Sequence, residues 1–210
     1  MNTECPNAPA AADADALLRA ISGCRVCADV LAAGPRPIVQ FSVTARLVII
    51  GQAPGTRVHD SGIPWDDASG ARLREWTGLN DATFYDPARV ALVPMGFCYP
   101  GTGASGDLPP RPECAPLWHD RVLALLPADR LTLLVGSHAQ QYYLPQPKAV
   151  TMTERVRQVA DLGPATLPPA LFPLPHPSWR STGWMRKNPW FEAGLLPRLR
   201  AAVRQAVTVG

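Results

Sequence analysis

The chain has 210 residues and a formal net charge of +3, a positive excess too small to argue for or against a polyanionic ligand. That length supports one domain with its own core, and no stretch reaches the roughly 18 consecutive apolar residues of a membrane helix, so a soluble protein is expected and a membrane partner is not. Proline is the compositional outlier: 24 residues, about twice average usage, put much of the backbone into rigid loops, because each removes a donor and is poorly tolerated in helices and central strands.

Ala11 to Ile21 carries good helix formers with Leu17, Leu18 and Ile21 on one face, and Gly23 ends it. Residues 1–19 read as a leader plus the start of this helix, and 20–206 as a single domain without repeats or linkers. Ala45 to Ile50 is a continuous apolar run closed by Gly51, the pattern of a strand buried on both faces of a parallel sheet. Ser69 to Thr77 reads as a helix with Leu73 and Trp76 inward and Arg72, Arg74 and Glu75 outward. Val90 to Val93 is a second strand, Trp118 to Leu126 a helix, and Arg130 to Val135 a third strand that closes at Gly136 and leads into a helix over Ser137 to Tyr143. Ala170 to Leu174 gives a short fourth strand, and Trp190 to Ala206 an amphipathic helix bearing Leu195, Leu196, Leu199 and Val203, with a kink expected at Pro197.

Strands alternating with helices predict a three-layer α/β/α sandwich around a mainly parallel four-stranded sheet. In open sheets of that kind ligands bind at the carboxyl ends of the strands. Gly51–Gly55, Pro94–Cys98, Gly136–His138 and His176–Ser178 all follow strands, so four loops converge on one edge.

Four cysteines form a separate constellation: Cys24 and Cys27 as a C-x-x-C, then Cys98 and Cys114 with fifteen residues between them. Such a set can hold zinc, an iron–sulfur cluster or two disulfides. The first residues, Met1-Asn2-Thr3-Glu4-Cys5-Pro6, lack the basic and apolar regions of an export signal, so a cytoplasmic location is expected, where disulfides are rare. Zinc ribbons bring two close knuckles, whereas the second pair here is spread across Pro- and Gly-rich sequence. Wide spacing suits a cluster somewhat better, with zinc and buried free thiols left open. Cys5, in a polar Ala-rich leader, is read as incidental.

The loops carry their own chemistry. Gly51-Gln52-Ala53-Pro54-Gly55 makes a tight turn whose exposed amides can bind an anion or a carbonyl oxygen, although an ordinary strand-to-helix turn has the same composition. Trp65, between Pro64 and Asp66-Asp67, reads by itself as a partly buried core aromatic. A lone histidine such as His176 is more often structural than catalytic. Trp179-Arg180-Ser181 and Arg186-Lys187-Asn188 mix aromatic and basic groups, which suits phosphate contact and insertion into a duplex and equally suits a solvated loop.

Taken together, the C-x-x-C, Gly-Gln-Ala-Pro-Gly at 51–55, Gly62-Ile63-Pro64-Trp65, Ser69-Gly70, the spread cysteine pair and His176-Pro177-Ser178 resemble the uracil-DNA glycosylase superfamily, closest to its iron–sulfur branch, family 4. The order and approximate spacing match from Cys24 to about Leu199. The resemblance implies a DNA-repair hydrolase that flips uracil, or a related damaged base, out of the stack and cuts its N-glycosidic bond, leaving an abasic site. It implies a [4Fe-4S] cluster on Cys24, Cys27, Cys98 and Cys114, with zinc or no metal as the alternatives. It further implies stacking of the base on Trp65, its O2 held by the Gly51, Gln52 and Ala53 turn and by His176, and contact of Ser178 and Arg180 with the DNA backbone.

Three departures from the family stand out. Gln52 replaces a glutamate, Val58 and His59 replace an acidic pair with Asp60 one position later, and Pro94 replaces the asparagine that reads the uracil edge. His59 and Asp60 are therefore the expected water-positioning groups, and Met95 or Gly96 the expected substitutes at the base edge. No lysine stands in the base-binding loops to form a Schiff base, which favours hydrolysis by a monofunctional enzyme. A monomer is expected. Two other functions fit the departures: a protein that binds damaged DNA or uracil with little turnover, and a glycosylase for another deaminated or oxidised base.

Overall fold

The computed structural model describes residues 8–104, 106–144, 150–161 and 170–208; Cys5 lies outside them. The elements in chain order are α1 (Ala8–Ser22), β1 (Leu47–Ile50), α2 (Thr56–Ser61), α3 (Ala68–Thr77), α4 (Asp81–Phe84), β2 (Val90–Leu92), β3 (Thr102–Gly103), β4 (Gly106–Asp107), α5 (Cys114–Ala124), β5 (Leu131–Val135), α6 (Ser137–Tyr143), α7 (Met152–Ala160), β6 (Leu171–Leu174), α8 (Ser181–Lys187) and α9 (Leu196–Thr208).

The sheet has the order β2-β1-β5-β6 with every pairing parallel. Its runs are apolar on both faces because both faces are covered. Side chains alternate along a strand, so Leu47 and Ile49 of β1 enter one core with α3, α7 and α9, while Val48 and Ile50 enter a second with α1 and α5. This is a three-layer α/β/α sandwich. Fully burying each such Leu, Ile or Phe contributes about 1.5–3 kcal/mol. Pro173 is accommodated because β6 is an edge strand and needs one fewer ladder bond.

The expected strands stand within a residue or two of their bounds, and helix α6 covers Ser137–Tyr143. Helix α1 begins at Ala8 and buries Ala14, Leu17 and Ile21. Helix α5 starts at Cys114, four residues before the expected Trp118. The C-terminal helix is modified by Pro197 as a widened turn rather than a simple kink: Phe191–Leu195 is a π-helix, in which the Leu196 amide reaches back to the Phe191 carbonyl. Adding a residue to the turn moves the carbonyls away from the proline ring.

Helices α2, α4, α7 and α8 and the β3–β4 hairpin lie where only loops were read. Arg72 and Arg74 are also half-buried rather than simply outward. Arg74 pairs with Asp81 at 2.7 Å and donates to the Tyr85 hydroxyl at 3.0 Å and the Trp65 carbonyl at 3.4 Å. Arg72 donates to the Ser178 carbonyl at 2.7 Å, tying α3 to the loop after β6. No helix among the described residues is long and apolar enough to cross a membrane.

Candidate active site and cysteine cluster

The carboxyl ends of β1, β2 and β6 and the β3–β4 hairpin surround a cavity of about 450 Å³. Its walls include Gly51, Gln52, Ala53, Trp65, Pro94, Asp107, His176, Ser178 and Arg180. Distant parts of the sequence therefore meet as the parallel topology requires, since each strand delivers its following loop to the same edge.

The turn after β1 is braced from its neighbour. The Met95 amide donates to the Gly51 carbonyl at 2.9 Å and the Gly96 amide to the Gln52 carbonyl at 3.0 Å. With those carbonyls held, the Gln52 and Ala53 amides have no partner among the described residues. The Gln52 side chain donates to the Leu108 carbonyl at 3.4 Å, which joins the turn to the hairpin.

Trp65 has φ 57, the one positive φ outside glycine among the described residues. A bulky side chain in that region is strained by about 1–3 kcal/mol and must be held there by its surroundings. Two glycines permit it. A Cβ on Gly51 would stand 2.5 Å from the indole, and one on Gly70 would stand 1.8 Å from the Trp65 carbonyl oxygen. Asp67 caps α3 through the Gly70 amide at 2.7 Å, fixing the same corner. The indole ends with its centroid 6.0 Å from the His176 ring and 29° from parallel to it.

His176 follows β6, with Gly136 beneath it: a Cβ there would lie 3.4 Å from that of His176. Its backbone carbonyl accepts from the Ser181 hydroxyl. Burial pushes the imidazole below its ordinary pKa; the charges of Asp67 and Asp107 oppose this, and His138 adds to it. At neutral pH it is uncharged. Beyond it, Arg180 lies beside Gly106 and over Trp179 at 5.7 Å, and Trp179 is 76% exposed at the rim.

Not every expected site residue comes together here. His59 is on α2 with its ring 5.6 Å from that of Tyr99 and its Nδ1 buried without a partner among the described residues, while Asp60 is exposed on the same helix; neither lines the cavity. Their carbonyls accept from Arg36. Met95 buries its side chain in the second core, and Gly96 is packed against Pro110, so both act through their amides. Pro94 does line the cavity. Its carbonyl accepts from His119 Nε2 at 3.0 Å, which leaves His119 Nδ1 to accept from the Tyr143 hydroxyl. Asp67, which follows Trp65 in the sequence, also lines the cavity, whereas Asp107 is a cavity residue that sequence reasoning missed; the Gly-rich run Gly101 to Gly106 was the available signal of its hairpin.

His119, His138 and His176 are all held below the ordinary imidazole value chiefly by burial. The unfolded chain therefore takes up more protons as pH falls below about 6.5, so stability is complete above that value and declines on acidification. The urea midpoint is expected to be lower at about pH 5.5 than at about pH 7.5; equal midpoints would contradict the burial of these rings.

The four cysteines line a separate cavity that shares no lining residue with the first. Cys24, Cys27, Cys98 and Cys114 are free thiols and line one small cavity with Phe97, Arg111 and Glu113. The Phe97 amide donates to Cys114 Sγ at 3.3 Å. Burial pushes up the Cys27 and Cys98 thiols and takes Cys114 to about 12, and the neighbouring cysteines push the last two further. No group of three or more His, Cys, Asp or Glu among the described residues is placed to hold a metal ion. One short segment thus faces both features: the amides of Met95 and Gly96 hold the turn after β1, while Phe97 and Cys98 face the thiols.

A family model described as the uracil DNA glycosylase superfamily matches residues 38–200, well over half of the chain. The match spans the turn after β1, Trp65, the hairpin and His176; residues 1–37, with α1, Cys24 and Cys27, and the residues after 200 lie outside it. By that match the chain belongs to the uracil DNA glycosylase superfamily, whose members are DNA glycosylases.

Proposed function

We propose that the protein removes uracil, or a closely related damaged base, from DNA by hydrolysis of the N-glycosidic bond. One observation carries the reading: a strained, glycine-seated indole stands 6.0 Å from an uncharged histidine beside a turn with open amides. A base leaving the duplex would stack on Trp65. Negative charge developing on its O2 would be met by the Gln52 and Ala53 amides and by an N–H of His176, donors fixed before the reaction begins. A neutral imidazole keeps one N–H that can be donated to O2. Ser178 and Arg180 would contact the flanking phosphates, and Trp179 would fill space in the stack. Unstacking costs a few kcal/mol and is least for single-stranded or mismatched uracil.

Pro94 supplies no side-chain donor or acceptor to the base edge, so selectivity falls to backbone groups and to Gln52. The test is a panel of oligonucleotides bearing uracil, hypoxanthine or oxidised pyrimidines, single- and double-stranded, treated with alkali after reaction to reveal abasic sites. Uracil is expected to be released fastest.

We propose further that Cys24, Cys27, Cys98 and Cys114 hold a [4Fe-4S] cluster. Four free thiols around one cavity repel one another once ionised and need a compensating cation, and an amide directed at Cys114 is the kind of bond that stabilises a thiolate ligand. Bound there, the cluster would supply a cross-link between the residues after α1, the Pro94–Cys98 segment and the start of α5. Anaerobically purified protein is expected to be brown and to contain iron and sulfide, and Cys114→Ala to lose both and to unfold at lower temperature. Colourless protein carrying stoichiometric zinc would replace the cluster with zinc.

A further inference from the structure

We infer that the carboxylate of Asp107 positions the water that attacks the sugar and takes its proton. The inference rests on the glycosylase reading and deepens it, because neither His59 nor Asp60 reaches the cavity.

Asp107 is delivered by the β3–β4 hairpin, whose register pairs it with Thr102 and whose base is closed by the Leu108 amide on the Gly101 carbonyl at 2.8 Å. Its two oxygens are used differently. Oδ1 accepts from the Thr102 hydroxyl at 3.3 Å, Thr102 is bonded to the Tyr99 hydroxyl, and Tyr99 accepts from Thr56 at 3.0 Å. This hydroxyl chain runs from α2 to the hairpin, and its donors all point toward the carboxylate when Tyr99 donates to Thr102. Oδ2 hangs over the end of the Gly51–Gly55 turn, 3.0 Å from where a Cβ on Gly55 would stand, and has no hydrogen bond or ion pair among the described residues. Glycine at position 55 leaves that approach open.

The placement suits the reaction. The base reading puts the ring between Trp65, His176 and the Gln52–Ala53 amides, and the phosphates at Arg180. Arg180 borders Gly106, its guanidinium 3.1 Å from where a Cβ on Gly106 would stand, so the sugar between base and phosphate passes the next residue, Asp107. Asp67 is the other carboxylate in the cavity, but its Oδ1 is committed to the cap of α3. Both carboxylates act on the His176 imidazole through their charge, and a negative group at this point also stabilises a positive sugar.

In the step, the C1′–N1 bond breaks and its electron pair leaves on the uracil ring, delocalised onto O2. The sugar becomes an oxocarbenium ion. A lone pair of water forms the new C1′–O bond, the displaced proton passes to Asp107 and then to solvent, and the uracil anion is protonated by solvent. Water is the only co-reactant.

The test compares Asp107→Ala, Asp107→Asn and Asp67→Ala with wild type in single-turnover release of uracil from a single-stranded oligonucleotide, with binding measured separately on an oligonucleotide carrying non-cleavable 2′-fluoro-deoxyuridine. Both Asp107 variants are expected to lose about 10²–10⁴-fold in rate with binding and Tm unchanged. Added formate should restore Asp107→Ala, whose cavity admits it, and not Asp107→Asn. Full rate in Asp107→Ala, or formate rescue of Asp67→Ala in its place, overturns the inference and leaves the glycosylase reading standing. Absence of any base release by wild type overturns both.

Discussion

Replacing His176 by alanine is expected to slow base release by about 10²–10³-fold, because one fixed donor to developing oxyanion charge contributes about 2.7–4 kcal/mol. Binding of uracil-containing DNA should change far less, since the bond strengthens only as charge reaches O2. The ring is buried against Gly136 and faces Trp65, so the substitution also leaves a small cavity. His176→Asn separates the two effects: it restores an N–H donor without the imidazole, and should recover part of the rate. Single-turnover rates together with equilibrium binding decide the matter. A variant that loses affinity and rate in equal measure would assign His176 to uniform binding instead.

A second pair of substitutions is expected to divide stability from function at the Trp65 corner. Gly70→Ala drives a methyl into the Trp65 carbonyl, which is backbone and cannot swing aside. It should destabilise the protein by about 1–3 kcal/mol, a Tm loss of roughly 2–12 °C at this chain length. Gly51→Ala meets the far edge of the indole, a side chain that can rotate. Its Tm should fall less, while capture of the flipped base should weaken by about 1–3 kcal/mol, the usual contribution of one base–aromatic stack. Thermal denaturation and binding of the non-cleavable oligonucleotide, measured on both variants, check the division. Equal Tm losses with full binding would mean that Trp65 is only a packing residue.

The sheet was legible because its strands are short apolar runs, three of them closed by Gly51, Pro94 or Gly136, and burial on both faces leaves Thr132 as their one polar residue. The convergence of the loops followed from parallel order alone. Helix α7 was also legible and was overlooked: Thr151 and Glu154 form a capping box, followed by Val156 and Val159 on the buried face. The hairpin was harder, because Thr102–Gly103 and Gly106–Asp107 have no hydrophobic alternation to announce them.

The site residues divide along the same line. His176, Trp65 and the turn at 51–55 stand in local motifs that survive in sequence. Asp107 does not, since its importance lies in the chain folding back over Gly55, a contact between residues 52 positions apart. The Trp65 backbone was unreadable for another reason. Nothing local favours a left-handed tryptophan, and its φ is imposed by Gly51, Gly70 and Arg74 from three directions. Arg72 and Arg74 looked like solvent-facing helix residues because their partners, Ser178 and Tyr85, belong to other elements.

The most direct measurement is single-turnover release of uracil from single- and double-stranded oligonucleotides by the purified protein, read as alkali-labile strand breaks. The account predicts abasic sites from uracil DNA, faster on the single strand and strongly reduced in His176→Ala. Intact strands from every uracil substrate, at protein concentrations that saturate binding, would contradict it.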